Sequence, residues 1–284
     1  MTINRDARIS ASAERDGRTA NMFLYEGGGE VRGYFAKRYH AVRVMIARRQ
    51  LGSALMSSAT AAPHGPVVEL GAGGGRIVAG NRLMKLLGSR PVIYVDIDPS
   101  ALGSAESGGR IRVCSDVAEG LPFRDASIAA VVMGELIEHI YDTRRLLEDC
   151  HRVLVPNGAL IITTPNLAAL QDRICFVAGR SPRHVNPLHR YLWLHIRPFT
   201  SHSLRSVLCK TGFDVIELKS NFVVWRRKSG HRLQSRSMAR LLPGVGSILV
   251  VSARCVKPAG TGTNPMPHGP STPEFSHEDN EEIT

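Results

Sequence analysis

The stretch Val67-Val68-Glu69-Leu70-Gly71-Ala72-Gly73-Gly74-Gly75-Arg76 governs how the rest of this chain is read. An apolar run long enough for a buried strand ends in a glycine cluster. It hands over to an amphipathic segment, 76–87, that reads as helix. Glycine permits positive φ and lets backbone amides approach a ligand at a helix N-terminus. By itself the cluster is also consistent with an ordinary strand–helix turn. The next run, Val92-Ile93-Tyr94-Val95-Asp96, ends in an acid about 20 residues on, where a carboxylate accepts two hydrogen bonds from a ribose diol. Nicotinamide-dinucleotide enzymes share that much. Glu69 separates the two readings: an acid just before the glycines repels a pyrophosphate and suits a ligand with an amino group and a positive centre.

Outward from this loop, apolar runs at 111–114, 128–133 and 159–163 alternate with amphipathic stretches at 99–104 and 142–154. Two further runs, 213–218 and 248–256, complete a set of seven. Such alternation predicts a Rossmann-like α/β fold: a seven-stranded, mostly parallel sheet with helices on both faces. Apolar residues at helical spacing (Tyr34, Phe35, Tyr39, Val42, Met45, Ile46, Leu51, Leu55) predict a helix before the first strand. The gaps after the fifth and sixth runs exceed what structureless loops usually span, so they are expected to hold helices that cover a site. The expected organisation is a flexible N-terminus over 1–30, a single domain over 31–257 and a disordered acidic tail over 258–284. Within the domain, 31–62 is expected as an N-terminal helical cap, and 165–199 and 220–246 as helical cap insertions. Tyr25, Tyr34, Tyr39 and His40 are candidates to roof the cleft, although the helical spacing of Tyr34 and Tyr39 favours core packing.

In these residues the sequence resembles the class I S-adenosylmethionine-dependent methyltransferases. Their glycine motif, an acid, any residue, then Gly-x-Gly-x-Gly, is matched by Glu69, Gly71, Gly73 and Gly75. Asp96 matches their ribose-binding acid. Cys114-Ser115-Asp116-Val117, followed by Leu121-Pro122-Phe123, matches the segment whose Asp contacts the adenine amino group and whose next residue offers a backbone NH. Ile128-Ala129-Ala130-Val131-Val132-Met133 stands as the fourth strand, and Arg152-Val153-Leu154-Val155-Pro156-Asn157-Gly158 as the turn into the fifth. The resemblance implies S-adenosyl-L-methionine as cofactor. It puts Glu69 near the methionine amino group, the glycine backbone against the cofactor and Asp96 on the ribose. Asp116 and Val117 fall at the adenine, and Met133 at the strand end where the methyl sits. The sequence departs from the pattern at the start of the fourth strand, where Ala129 and Ala130 replace the usual acid.

Met133-Gly134-Glu135-Leu136-Ile137-Glu138-His139-Ile140 follows that strand. Glu135, Glu138 and His139 are spaced i, i+3 and i+4, which on a helical turn puts all three on one face. Two carboxylates and an imidazole suit Mg²⁺, Mn²⁺ or Zn²⁺. His195, in Leu194-His195-Ile196-Arg197-Pro198-Phe199-Thr200, is a fourth candidate ligand from the cap. The constellation resembles the small-RNA ribose 2′-O-methyltransferases and the ubiquinone-pathway catechol O-methyltransferases. Both carry Glu-x-x-Glu-His here and a later His. That resemblance implies a metal that holds two adjacent hydroxyls and makes an alkoxide available near neutral pH. In a metal-free reading Glu135 faces the cofactor, and His139 or His195 is the candidate general base. His184 and His189 are expected to face solvent or orient substrate.

Of the 284 residues, 43% are hydrophobic and 21% charged, which excludes a fully disordered chain. No apolar run approaches the roughly 20 residues needed to cross a bilayer, and 1–30 lacks an apolar core, so no secretory signal is expected. Five cysteines in apolar stretches, without paired or metal-type spacing, are expected as reduced packing thiols of a cytoplasmic protein. The net charge of +11 is uneven: 257–284 carries −4, which leaves +15 before it. Between Arg183 and Arg240, twelve Lys or Arg face only Asp214 and Glu217, a net of +10. This predicts an anionic partner. Phe222, Val223 and Trp225 beside Arg226, Arg227 and Lys228 make a basic amphipathic segment suited to an anionic membrane surface or a phosphate. The expected acceptor is therefore a small-molecule or carrier-linked biosynthetic intermediate (sugar, quinone, polyketide or lipid), methylated on oxygen. The alternative is a metal-dependent RNA ribose 2′-O-methyltransferase; nucleic acid is the less favoured partner because no arginine–aromatic motif accompanies the charge. An alternative of another class is a catalytically silent, cofactor-binding regulatory subunit.

Overall fold

The computed structural model describes residues 38–56, 64–73, 77–103, 110–182, 185, 195–226 and 232–257. Helix α1 (Arg38–Met56) precedes β1 (Val67–Leu70). There follow α2 (Asn81–Leu87), β2 (Val92–Asp96), α3 (Pro99–Gly103), β3 (Ile111–Cys114), β4 (Ile128–Gly134), α4 (Thr143–Val153) and β5 (Leu154–Pro165). The chain continues through α5 (Leu170–Val177), α6 (Ser201–Lys210), β6 (Phe213–Ser220), β7 (Val223–Arg226), β8 (Arg232–Ser235), α7 (Arg236–Leu241) and β9 (Ile248–Cys255). Seven strands form one sheet in the order β3-β2-β1-β4-β5-β9-β6. Neighbours from β3 to β5 pair in parallel, while β9 is antiparallel to both β5 and β6. The predicted seven-stranded, mostly parallel sheet is thus present, with the last run inserted between the fifth and sixth. Strand order reverses between β1 and β4, and the crevice outside their C-terminal ends is where such folds seat ligands.

Side-chain alternation splits the core in two. Val68 and Leu70 of β1, with Val131 and Met133 of β4, pack under Leu146, Leu147 and Cys150 of α4 and Leu204 and Leu208 of α6. Val67 and Val132 point the other way, toward Ala47, Leu51 and Leu55 of α1 and Leu83 and Leu87 of α2.

The cap expectations need correction. Helix α1 does not roof a cleft: it lies against the sheet face, where Ala47 and Leu51 are fully buried. Tyr39 stacks on Phe222 with centroids 6.5 Å apart, and His40 is buried. The predicted helical stripe is also rotated, since Met45 is exposed whereas Arg43 is buried. The 220–246 insertion is not purely helical: β7 and β8 pair as an antiparallel hairpin before α7. The hairpin forms because Phe222 and Val224 have an apolar face to cover, which favours the extended alternation over helix. Of the cysteines, Cys150 and Cys255 are buried as expected, but Cys114 and Cys209 are exposed. Tyr25, Tyr34, Gly75, His184, His189, the 1–30 segment and the 258–284 tail lie outside the described residues. No helix among the described residues is long and apolar enough to cross a membrane.

Candidate cofactor and metal site

The glycine loop leaves β1 in a conformation that only glycine adopts without strain. Gly71 and Gly73 have φ of +61° and +45°. A Cβ on Gly71 would stand 2.9 Å from Leu136 Cδ1, the movable end of a side chain, so it is the positive φ that favours glycine here. Asp96 holds this loop: its Oδ2 accepts from the Gly73 amide at 2.8 Å, and Oδ1 accepts from the Asp98 amide at 3.0 Å. Burial raises the Asp96 pKa, against the pull of these amides. At the end of β3, Asp116 Oδ1 accepts from the Ala118 amide at 2.9 Å, and Val117 is buried. Met133, wholly buried, pairs with Leu70 at the β1–β4 seam.

Glu69 is bound into the loop itself. Its position in β1 turns it toward α1, and its two carboxylate oxygens accept from the amides of Ile77 and Val78, each at 3.0 Å. It thus ties the far side of the glycine loop to the strand. Burial pushes its carboxyl from 4.5 up to about 7, opposed by the two amides and by the charges of Arg48 and Arg43. The folded state therefore keeps a proton that the unfolded chain releases near 4.5. This group's contribution makes stability fall as pH rises from 4.5 to about 7, then level off, by at most about 3 kcal/mol. Glu69→Gln is expected to remove that slope, as read by urea unfolding at intervals across the same range.

Helix α1 contributes two arginines that the sequence reading did not single out. Arg48 Nε donates to the Ile77 carbonyl at 2.7 Å, under the same loop. Arg43, 1% exposed, donates from Nη1 to Thr163 Oγ1 at 2.7 Å and stands 3.6 Å from Glu135 Oε1. The Thr163 hydroxyl donates onward to Glu135 Oε1 at 3.4 Å. Glu135 itself has φ of +57°, an uncommon conformation for a residue with a side chain.

Consecutive residues of a strand point to opposite faces, and this separates the two glutamates. Thr163 faces Arg43 and Glu135. Thr164 instead donates to Glu138 Oε2 at 2.9 Å. Glu138 lies in a 3₁₀ turn, Ile137–His139, rather than in an α-helical turn shared with Glu135. The segment after 194 is pinned beside this turn: the Arg197 amide donates to the Glu138 carbonyl at 3.1 Å, and Asn166 bridges to Phe199. His195 is thereby brought to His139, their rings meeting edge-on with centroids 4.8 Å apart. Glu138, His139 and His195 each offer a ligand atom within 4.8 Å of the others. Of the four expected metal ligands, three converge; Glu135 is engaged by Arg43 and Thr163 on the other face. Asn166 is buried and donates to the carbonyls of Gly244 and Gly246, so it fastens the turn before β9.

A divalent cation fits this donor set. Glu138 is buried, and its Oε1 has no hydrogen-bond partner among the described residues. Burial, and then the neighbouring charge of Glu135, raise its pKa well above the ordinary carboxylate value. A carboxylate kept out of water beside two imidazoles is stabilised by a positive ion.

Comparison with known proteins agrees with this architecture. The family model described as "Methyltransferase domain" matches residues 68–162. A Mycobacterium tuberculosis protein named "Probable S-adenosylmethionine-dependent methyltransferase" is 36% identical over 126 residues, 44% of this chain and 41% of that one. The human mitochondrial ubiquinone biosynthesis O-methyltransferase is 32% identical over 105 residues, 37% of this chain and 27% of that one. The chain thus spans less than half the length of these curated relatives. Among solved structures, a SAM-dependent methyltransferase from Thermotoga maritima superposes with a TM-score of 0.51 at 19% identity, covering 81% of this chain and 97% of that one. Residues 68–162 thus carry a methyltransferase domain, and the chain is similar to S-adenosylmethionine-dependent methyltransferases.

Proposed function

We infer that the protein transfers a methyl group from S-adenosyl-L-methionine to an oxygen of a small-molecule or carrier-linked acceptor, with Mg²⁺ or Mn²⁺ held by Glu138, His139 and His195. The observation that carries this reading is the convergence of those three side chains, with one buried Glu138 oxygen left without a partner among the described residues. The partial similarity to a ubiquinone O-methyltransferase supports oxygen as the acceptor atom. When bound, the cofactor supplies a methyl on a positively charged sulfur. A divalent ion at the three side chains would lower the pKa of a coordinated acceptor hydroxyl.

The chain's own residues divide the work by strand end. The Gly71–Gly73 backbone and Asp96 form the cofactor cradle. Asp96 would exchange its hold on the Gly73 amide for the ribose hydroxyls or share it with them, and Asp116 and Val117 would meet the adenine. Glu135, held by Arg43, would supply negative charge to the sulfonium and amino group of a bound cofactor. Glu69 acts one step removed, by shaping the loop. His139 and His195 line the acceptor side.

Asp96→Ala is expected to weaken S-adenosylhomocysteine binding by roughly 1–3 kcal/mol, the scale of hydrogen bonds to a charged group; unchanged affinity in a calorimetric titration would remove Asp96 from the ribose role. The reading as a whole is tested by titrating Mg²⁺, and separately Mn²⁺, into protein saturated with S-adenosylhomocysteine. Saturable binding that disappears in Glu138→Ala supports the metal site and directs the acceptor search to catechols and vicinal diols. Absence of binding in the unaltered protein refutes the metal assignment, and failure of labelled methyl transfer to every oxygen acceptor tried refutes the reaction.

A further inference from the structure

Beyond the reaction, the insertions carry a surface that the proposed chemistry does not use. Helix α5 leaves the end of β5 and packs against β7, while β8 and α7 complete the group. Arg173 of α5 donates to the Ala168 carbonyl at 2.7 Å and reaches the Gly244 carbonyl at 3.5 Å, so α5 and the turn after α7 are neighbours. These elements leave large apolar side chains in water. Val177 is 92% and Leu241 81% exposed, with Phe176 and Leu242 more than half exposed. Trp225 and Leu233 are directly opposite one another in the hairpin register and both exposed, so they share its outer face, while Val224 faces the core. Apolar exposure on this scale is unusual unless something covers it.

The charge says what covers it. The described α5, β7, β8 and α7 contain one acid, Asp172, and it is buried. Arg173, Arg180 and Arg240 are exposed and Arg236 is partly so, each within a few residues of an exposed apolar side chain along the chain. Exposed apolar groups on elements that also expose arginines, with exposed carboxylates absent from these elements, complement an anionic lipid headgroup layer over acyl chains. We propose that the surface made by α5, the β7–β8 hairpin and α7 seats the protein on an anionic phospholipid bilayer, with Phe176, Trp225 and Leu241 entering the interface. The site at the end of β5 then opens within a few residues of the lipid, which favours lipid-borne acceptors. The surface itself does not depend on the methyl-transfer reading.

The test is co-sedimentation of the full chain with vesicles of phosphatidylcholine alone or with about one third phosphatidylglycerol, at roughly 0.1 M and 0.5 M salt. Expected is at least roughly tenfold more binding to the anionic vesicles, weakened by salt. Each of Arg236→Ala and Arg240→Ala should lower it by roughly fivefold. Leu241→Glu with Leu242→Glu should abolish it while the melting transition stays unchanged. Quenching of tryptophan emission by brominated lipid, lost in Trp225→Phe, would place the hairpin in the interface. Equal binding to both vesicle types, or binding untouched by the leucine substitutions, overturns the proposal. So does a dimer in light scattering that the same substitutions split, because a second copy would then be the occupant.

Discussion

Arg43→Met is expected to destabilise the protein by about 3 kcal/mol, measured by urea unfolding near neutral pH. Methionine fills much the same volume, so the loss is electrostatic rather than a cavity. Arg43 is 1% exposed, and its guanidinium is the positive group within 4 Å of Glu135 that the structure shows. Removing it leaves Thr163 without its donor and Glu135 with Glu138 as its charged neighbour. Breaking a buried pair from one side is costly because the remaining charge has been taken out of water. The same change should weaken S-adenosylhomocysteine binding roughly tenfold if Glu135 is a cofactor contact, a loss on the scale of one charged hydrogen bond. Arg43→Lys should recover little, since an ammonium lacks the planar set of donors. Combining Arg43→Met with Glu135→Gln should restore most of the stability, because the second change removes the stranded charge. An unchanged unfolding midpoint for Arg43→Met alone would mean that the pair contributes nothing.

Arg43 also shows where the sequence stopped being legible. Its helix places 43, 47, 51 and 55 on one stripe, and Ala47, Leu51 and Leu55 are core residues. The apolar spacing drew the stripe through Met45 instead, because an arginine at 43 reads as lying outside the apolar face. Only the tertiary partner, Thr163 at the end of a strand 120 residues away, makes a buried guanidinium tenable. The strands were legible for the opposite reason. β1, β2, β4 and β9 are covered on both faces, so nearly every side chain must be apolar and the run announces itself. Edge strand β3 is largely exposed, yet its sequence still reads as a short apolar run. The hairpin β7–β8 was missed because arginines and one outward-facing tryptophan mask its alternation. At the site, spacing grouped Glu138 with His139, and the structure brings His195 beside them. It misassigned Glu135 to the same face, since a left-handed residue and a 3₁₀ turn break the helical phase that i, i+3, i+4 spacing assumes. Glu69 was expected near the methionine amino group, and what the sequence does not show is that its carboxylate is held by two amides on the far side of the loop.

Glu138→Gln is expected to move stability and activity in opposite directions. In the metal-free protein Glu138 is buried, close to Glu135, and has one oxygen without a hydrogen-bond partner among the described residues. Its folded pKa is raised, so the unfolded chain releases this proton at a lower pH than the folded protein does. The carboxyl therefore costs stability once pH exceeds the unfolded value, and the cost grows until pH passes the folded value. An amide of the same shape keeps an acceptor for Thr164 Oγ1 and removes the ionisation. Metal-free Glu138→Gln should be more stable near neutral pH by about 1–3 kcal/mol, with the gain shrinking toward acid. Metal reverses the order. The unaltered protein should gain about 3 kcal/mol at a metal concentration roughly a hundred times the dissociation constant, while the variant, lacking the anionic ligand between His139 and His195, gains little. Its methyl transfer should fall by roughly 100-fold or more. The measurement is a pair of melting curves with and without Mn²⁺, run beside a transfer assay. A variant less stable than the parent without metal would mean that Glu138 is a structural hydrogen-bonding group. A variant that still responds to metal would take Glu138 out of the ligand set. Stabilisation without metal, lost response with it and a slowed reaction together describe a residue kept at a cost to the fold because the site needs its charge.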